Sequence, residues 1–291
     1  VRAALVVLGL AACGGSQKPT SASSGPIIVL DPGAEPREVL RQRPQLRVPE
    51  WVDVTLKLRT SGDFTSTTLE TTHSDIDYPS IKAHQRLEAS SHAPNGATTI
   101  KLAIDDVRVL DDVVDRNVKP LVTKRVKNLR GTTSSWRLEP DGHVTGFTSD
   151  LSDLPPGVLH SMVVPASFPS TAVGVGARWQ ATEPITVGGI RFEQTRNYRL
   201  VALDADSATV AIDFVARAAS QPLSVEPNAT VRLKSGSMTL TGTSKIPLRG
   251  IAWSGEGRGL FETDLLIVQG HRRTSSRVRL ETLTISQPAQ K

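Results

Sequence analysis

Few residues of this chain have types and spacings that could do covalent chemistry. It carries one thiol, Cys13, and six dispersed histidines, His73, His84, His92, His143, His160 and His271. Neither His-Glu-x-x-His nor His-x-His occurs, so no sequence-adjacent pair of zinc ligands is offered, and neither a metal nor another cofactor is expected. The serines lie in no G-x-S-x-G elbow and no S-x-x-K pair, the local settings that activate a hydroxyl nucleophile. Asp75-x-Asp77, Asp111-Asp112 and Asp204-x-Asp206 bring carboxylates close together, yet a calcium loop needs further oxygen ligands at set spacings. Turn and loop aspartates account for them. Gly255-x-Gly257-x-Gly259 would cradle a phosphate only between a strand and a helix N-terminus. Here Leu260–Val268 reads as a strand, so the glycines are expected to form a bulged or tightly turned connection.

The surroundings of Cys13 are more informative. Arg2 precedes an uninterrupted apolar run, Ala3 to Leu10, and two small residues, Ala11 and Ala12, stand directly before the cysteine. A positive start, a short apolar run and small residues at a cut site form the pattern of an export signal. The run is too short to span a bilayer, which takes about 20 residues. Leu10-Ala11-Ala12-Cys13 resembles the lipobox of bacterial lipoproteins. That resemblance implies that residues 1–12 are a signal peptide and that lipid is added to the Cys13 thiol. Residues 13–26 are then the lipidated cysteine and a flexible tether rich in Gly and Ser. It further implies that the membrane is a partner through the lipid on Cys13, and that no thiol is left for catalysis or an internal disulfide. Gly14, where an aspartate would favour the inner membrane, points to the outer membrane.

The formal net charge is +5, with basic residues gathered at Arg37–Arg47, Lys124–Arg130 and Arg272–Arg279. Two readings stay open: a surface for anionic envelope ligands, or a solvated face whose interspersed acids balance it. No recognition helix or stacking-aromatic pattern points to nucleic acid. Trp51, Trp136, Trp179 and Trp253 border strand-like segments, as core residues or as the lining of an apolar cleft.

The elements that must position these residues are mostly strands. Val52, Val54, Leu56 and Leu58 alternate with polar residues, a period of two. A strand near Lys82–Ser90, the turn Pro94-Asn95-Gly96 and the alternating Ile100, Leu102 and Ile104 form a hairpin, with a bulge expected near Asp105-Asp106. A helix is predicted from Pro120 to Leu129, with Pro120 in its first position, Leu121, Val122, Val126 and Leu129 on one face and Gly131 as the stop. A shorter helical turn is expected over Pro156–Met162. Hairpins are predicted across Gly188-Gly189 and across Asp204–Ser207. Later strands are expected at Thr230–Lys234, Ser237–Thr241, Leu260–Val268 and Arg277–Ile285.

The expected fold class is mainly β: antiparallel, curved sheet with one or two short helices. The body divides into an N-terminal β-rich half with one helix, 27–165, and a C-terminal β-rich half, 166–291. Residues 86–104 and 199–214 share a strand–turn–strand plan, and 134–146 resembles 257–270, so the halves read either as a duplication or as unrelated hairpins. Pro169–Trp179 and Gly257–Glu262 resemble segments of an uncharacterised family of β-rich bacterial secreted proteins and lipoproteins, which implies an architecture and no activity.

The function that follows is a non-catalytic envelope lipoprotein that binds an apolar or anionic envelope ligand, a lipid or a protein partner. Two alternatives remain. Paired carboxylates could hydrolyse wall polymers without any sequence motif, and the chain could be a structural subunit of an envelope assembly.

Overall fold

The computed structural model describes residues 26–67, 70–112, 117–150, 166–187, 189–226, 229–269 and 271–290. Cys13 with Leu10, Ala11 and Ala12, the helical turn expected over 156–162, and His160 lie outside them. The architecture is mainly β, an antiparallel curved sheet that is not closed into a barrel. Fourteen strands are described: β1 (Ile27–Asp31), β2 (Glu50–Thr65), β3 (Thr71–Asp77), β4 (Ile81–His92), β5 (Thr98–Val109), β6 (Thr133–Leu138) and β7 (Val144–Ser149), then β8 (Arg178–Val187), β9 (Ile190–Leu203), β10 (Ser207–Ala218), β11 (Gln221–Glu226), β12 (Ala229–Pro247), β13 (Ser254–Gln269) and β14 (Arg272–Ala289).

Neighbouring strands run in the order β1-β8-β9-β10-β12-β13-β14-β2-β4-β5-β6-β7, with β11 beside β12 and β3 beside β2. Two meanders therefore meet where β14 pairs with β2, from Ser275↔Thr65 to Ala289↔Trp51. Short-range hairpins build most of each meander; β1 joins the edge of the C-terminal one by a long-range pairing with β8, and the β14–β2 pairing joins the two meanders into a single sheet.

Period-two alternation gives the sheet two unlike faces. One face is apolar and carries three clusters. Trp179, Tyr198, Leu200 and Phe168 centre the first; Val52, Ile100, Trp136 and Leu138 the second; Phe192, Leu233 and Leu265 the third. Trp179 stacks on Tyr198 with ring centroids 5.5 Å apart, and its indole Nε1 donates to the Ser167 carbonyl at 2.8 Å. Trp136 lies against Phe147, 6.2 Å between centroids. Trp136 and Trp179 are thus core residues, while Trp51 and Trp253 are half-buried.

The expected hairpins form: Val187 pairs with Ile190 across the glycines, and Leu203 with Ala208. The bulge forms too, since His84 pairs with Asp106 but Gln85 with Ile104, leaving Asp105 as the extra residue. The helix, α1, runs Val118–Val126 and continues as a 3-10 turn over Lys127–Leu129. It starts two residues earlier than predicted, so Pro120 sits inside the first turn, where its missing N–H costs no helical bond. Leu121 is exposed, because it lies one residue, about 100° of rotation, off the stripe of Val122, Val126 and Leu129.

Two local expectations are corrected. Thr230–Lys234 and Ser237–Thr241 are one strand, β12; the apolar phase breaks because Leu233 pairs with Leu265 and Ser235 with Asp264, which leaves Lys234 as a bulge. Gly255, Gly257 and Gly259 form no turn but lie in β13, opposite Ser244, Gly242 and Leu240 of β12. They point to the apolar face at the middle of the sheet, where a Cβ on Gly255 would come within 2.3 Å of the Thr243 carbonyl oxygen. Gly255 permits that close backbone approach, while a Cβ on Gly259 would meet the Thr282 hydroxyl of β14 at 2.5 Å. Of the paired segments in the two halves, 86–104 and 199–214 are both hairpins, whereas 134–146 spans β6, a turn and β7, and 257–269 is one continuous strand.

Candidate ligand-binding groove

The second face of the sheet is charged. Register places Lys57 and Arg59 of β2 beside Leu283 and Glu281 of β14, those beside Arg258 and Leu260 of β13, and those beside Thr241 and Thr239 of β12. These eight side chains share a face because the members of each row pair directly across the strands and the two on each strand lie two positions apart. They floor an open groove of about 940 Å³, closed along one side by β3 with Asp75 and Asp77, and by Ser80 and Asp112.

Within the groove each guanidinium meets a carboxylate. Arg59 is bidentate on Asp75, with Nη2 at 2.7 Å and Nε at 3.1 Å, and reaches Asp77 at 3.4 Å. Arg279 holds Glu281 at 2.9 Å and Arg258 holds Glu256 at 3.2 Å. The Arg59 hydrogen bonds keep the Asp75 carboxyl below the usual carboxylate range and raise the Arg59 guanidinium in turn. Burial works to raise Asp112, but hydrogen bonds from the Ser80 hydroxyl and backbone amide, with the charge of Lys57, bring it below its ordinary value. Asp75 and Asp112 are therefore fixed charges at neutral pH and have no proton to give.

The same face continues over β4 to β7. A second hollow of about 450 Å³ is lined by Arg86, Glu88, Lys101 and a row of Ser and Thr. Between the two hollows Asp53 accepts from Lys82 at 2.7 Å and lies 2.8 Å from His84 Nδ1. Burial opposes ionisation of Asp53, yet these two partners outweigh it and lower its pKa.

Beyond Asp75, Asp77 and Asp112, which the groove brings together, the residues singled out by type scatter. His73 lies 2.8 Å from Asp63 and His92 2.8 Å from Thr98 Oγ1, while His143 lies beyond the Asp141-Gly142 turn, its amide bonded to Asp141. Asp111 pairs with Lys119, Asp204 with Lys245 and Asp206 with Arg249. No group of three metal-ligating side chains gathers among the described residues.

One cluster had no signal in the sequence. On the apolar face, between the Trp179 and Phe192 clusters, Arg196 pairs with the buried Glu183 at 3.3 Å. Gln194, fully buried, donates to Glu183, and its own Oε1 has no partner. Alternation in β8 and β9 would have put these residues inward, but only the β8–β9 register puts them together. Among the described residues no helix is long and apolar enough to cross a membrane. Compared with known proteins, the chain matches no family model and no curated sequence.

Proposed function

We propose that this protein is a lipid-anchored binding protein of the bacterial cell envelope, held by Cys13 at the outer membrane, with the charged groove as its ligand site. The supporting observation is the groove floor: Lys57, Arg59, Arg258 and Arg279 spaced over three adjacent strands, β2, β14 and β13, each accessible from solvent. Exposed arginine–carboxylate pairs are held weakly, because water screens them and side-chain entropy opposes them. An incoming anion can therefore compete with an internal carboxylate for its guanidinium, against the repulsion of the carboxylate it displaces, and a planar guanidinium binds carboxylate or phosphate bidentately. Thr239 and Thr241 add hydroxyls between the charges. An open groove of this kind, running across four strands, suits an extended anionic polymer better than a small enclosed metabolite. Asp75 and Asp112 are held as ions, so neither donates a proton to a ligand at neutral pH.

Calorimetric titration of the purified protein with polygalacturonate, and with neutral dextran as control, tests the groove. Polygalacturonate should bind and weaken as salt is raised, while dextran should not bind. Equal binding of both polymers, or of neither, would refute the reading. Intact mass of protein extracted from membranes tests the anchor separately: the expected species begins at Cys13 and carries lipid.

A further inference from the structure

Large apolar side chains are exposed at few places among the described residues, and four of them share one corner of the sheet. Ile28 and Leu30 of β1 are 53% and 59% exposed, with Val175 at 46% and Val201 at 43%. In β1 the alternate residues Ile27 and Val29 pack inward against the Trp179 cluster, so Ile28 and Leu30 stand on the opposite, charged face. Hydrogen bonds make the corner continuous. Asp31 pairs with Arg178, and Arg178 with Arg199 in turn. Gly176 N donates to Leu200 O, and Ala34 N to Val175 O. The corner is also rigid, for Gly33 and Gly174 cross in contact: a Cβ on Gly174 would lie 1.8 Å from the Ala34 carbonyl oxygen. Arg178 is pulled only loosely by Asp31, at 3.6 Å. An edge strand with exposed aliphatics and paired arginines is a surface in want of a partner.

We infer that the partner is the bilayer itself. This rests on the anchored reading proposed above. Cys13 and Ile27 are fourteen positions apart, and a Gly/Ser-rich segment of that length has an end-to-end distance of about 20 Å. A lipidated Cys13 therefore keeps β1, of all the strands, closest to the membrane and at high local concentration over it. Ile28, Leu30, Val175 and Val201 enter the headgroup boundary, and Arg178 and Arg199 bind the phosphates of anionic lipid. The body then lies docked on the membrane by the β1 corner instead of swinging at the end of its tether.

The test uses the full chain, purified from membranes. Leu30→Cys, and in a control Lys101→Cys on the far half of the sheet, introduce one free thiol each for a nitrobenzoxadiazole label. Each labelled protein is placed in phosphatidylethanolamine vesicles that contain a minority of phosphatidylglycerol and doxyl-labelled lipid. The probe at position 30 should lose most of its emission to the doxyl lipid and the probe at 101 almost none. Adding Arg178→Glu and Arg199→Glu should restore the emission at 30. A probe at 30 that is quenched by aqueous iodide, and not by doxyl lipid, would overturn the docking. The anchor is scored independently by intact mass. If Cys13 proves unlipidated, Cys13→Ser is added so that each protein keeps one thiol; quenching at 30 on adding vesicles would then still support the corner, and no quenching would refute it.

Discussion

The same pair of residue types serves opposite ends on the two faces of this sheet. Arg59 and Asp75 meet in water, bidentate and exposed, whereas Arg196 and Glu183 meet between two apolar clusters, shielded from solvent. The contrast teaches that geometry alone does not set what an ion pair contributes. In water the pair merely replaces hydration that each ion already had. Inside, each ion has given up its hydration, so losing either partner strands a charge. The charged face can thus exchange its pairs for a ligand's, and the apolar face cannot.

The largest expected effect breaks the buried side of this comparison. Arg196→Met should lower unfolding stability by about 3–5 kcal/mol, measured by urea melts, because Glu183 is left buried and unpaired. Adding Glu183→Gln should recover most of that loss, since no charge then remains and the new amide oxygen still accepts from Gln194. A double variant as unstable as the single one would mean that packing, not charge, was lost.

Glu50 is next. Its carboxylate accepts from the backbone amides of Ile251 at 2.9 Å and Ala252 at 2.7 Å, tying the β12–β13 loop to the start of β2. Glu50→Ala should cost about 1–3 kcal/mol by leaving those amides without a partner.

Asp53 stands between the two extremes and sharpens the comparison through pH. Its folded pKa is depressed, so its stabilisation is present above the unfolded value of about 3.9 and is lost as pH falls through the folded one. Asp53→Asn should cost less than about 1 kcal/mol at neutral pH, and the gap to wild type should close in melts below about pH 4. The smallest effect is expected for Arg59→Ala, whose melting temperature should match wild type.

Much of this architecture was legible because its strands alternate with period two and its turns use Gly, Asn and Asp, both local signals. The hairpins across Gly188-Gly189 and Asp204–Ser207 and the bulge at Asp105 followed from those signals alone. Where a bulge falls within a strand, as at Lys234, the phase break looks like a strand end. The glycines of β13 looked like a turn because what Gly255 permits there, close approach to β12, is tertiary. The groove itself was not legible. Lys57 and Arg258 are each visible as outward residues, but the β2–β14 pairing that aligns them joins segments more than two hundred residues apart. No local pattern encodes that register.

The central claim is that the charged face binds and the apolar face only holds the fold. Arg258→Ala combined with Arg279→Ala, two exposed groove residues, tests it in one measurement. Affinity for polygalacturonate and melting temperature are read on the same sample. The account predicts that binding is lost while the melting temperature stays at the wild-type value. Undiminished binding by this folded variant would contradict it.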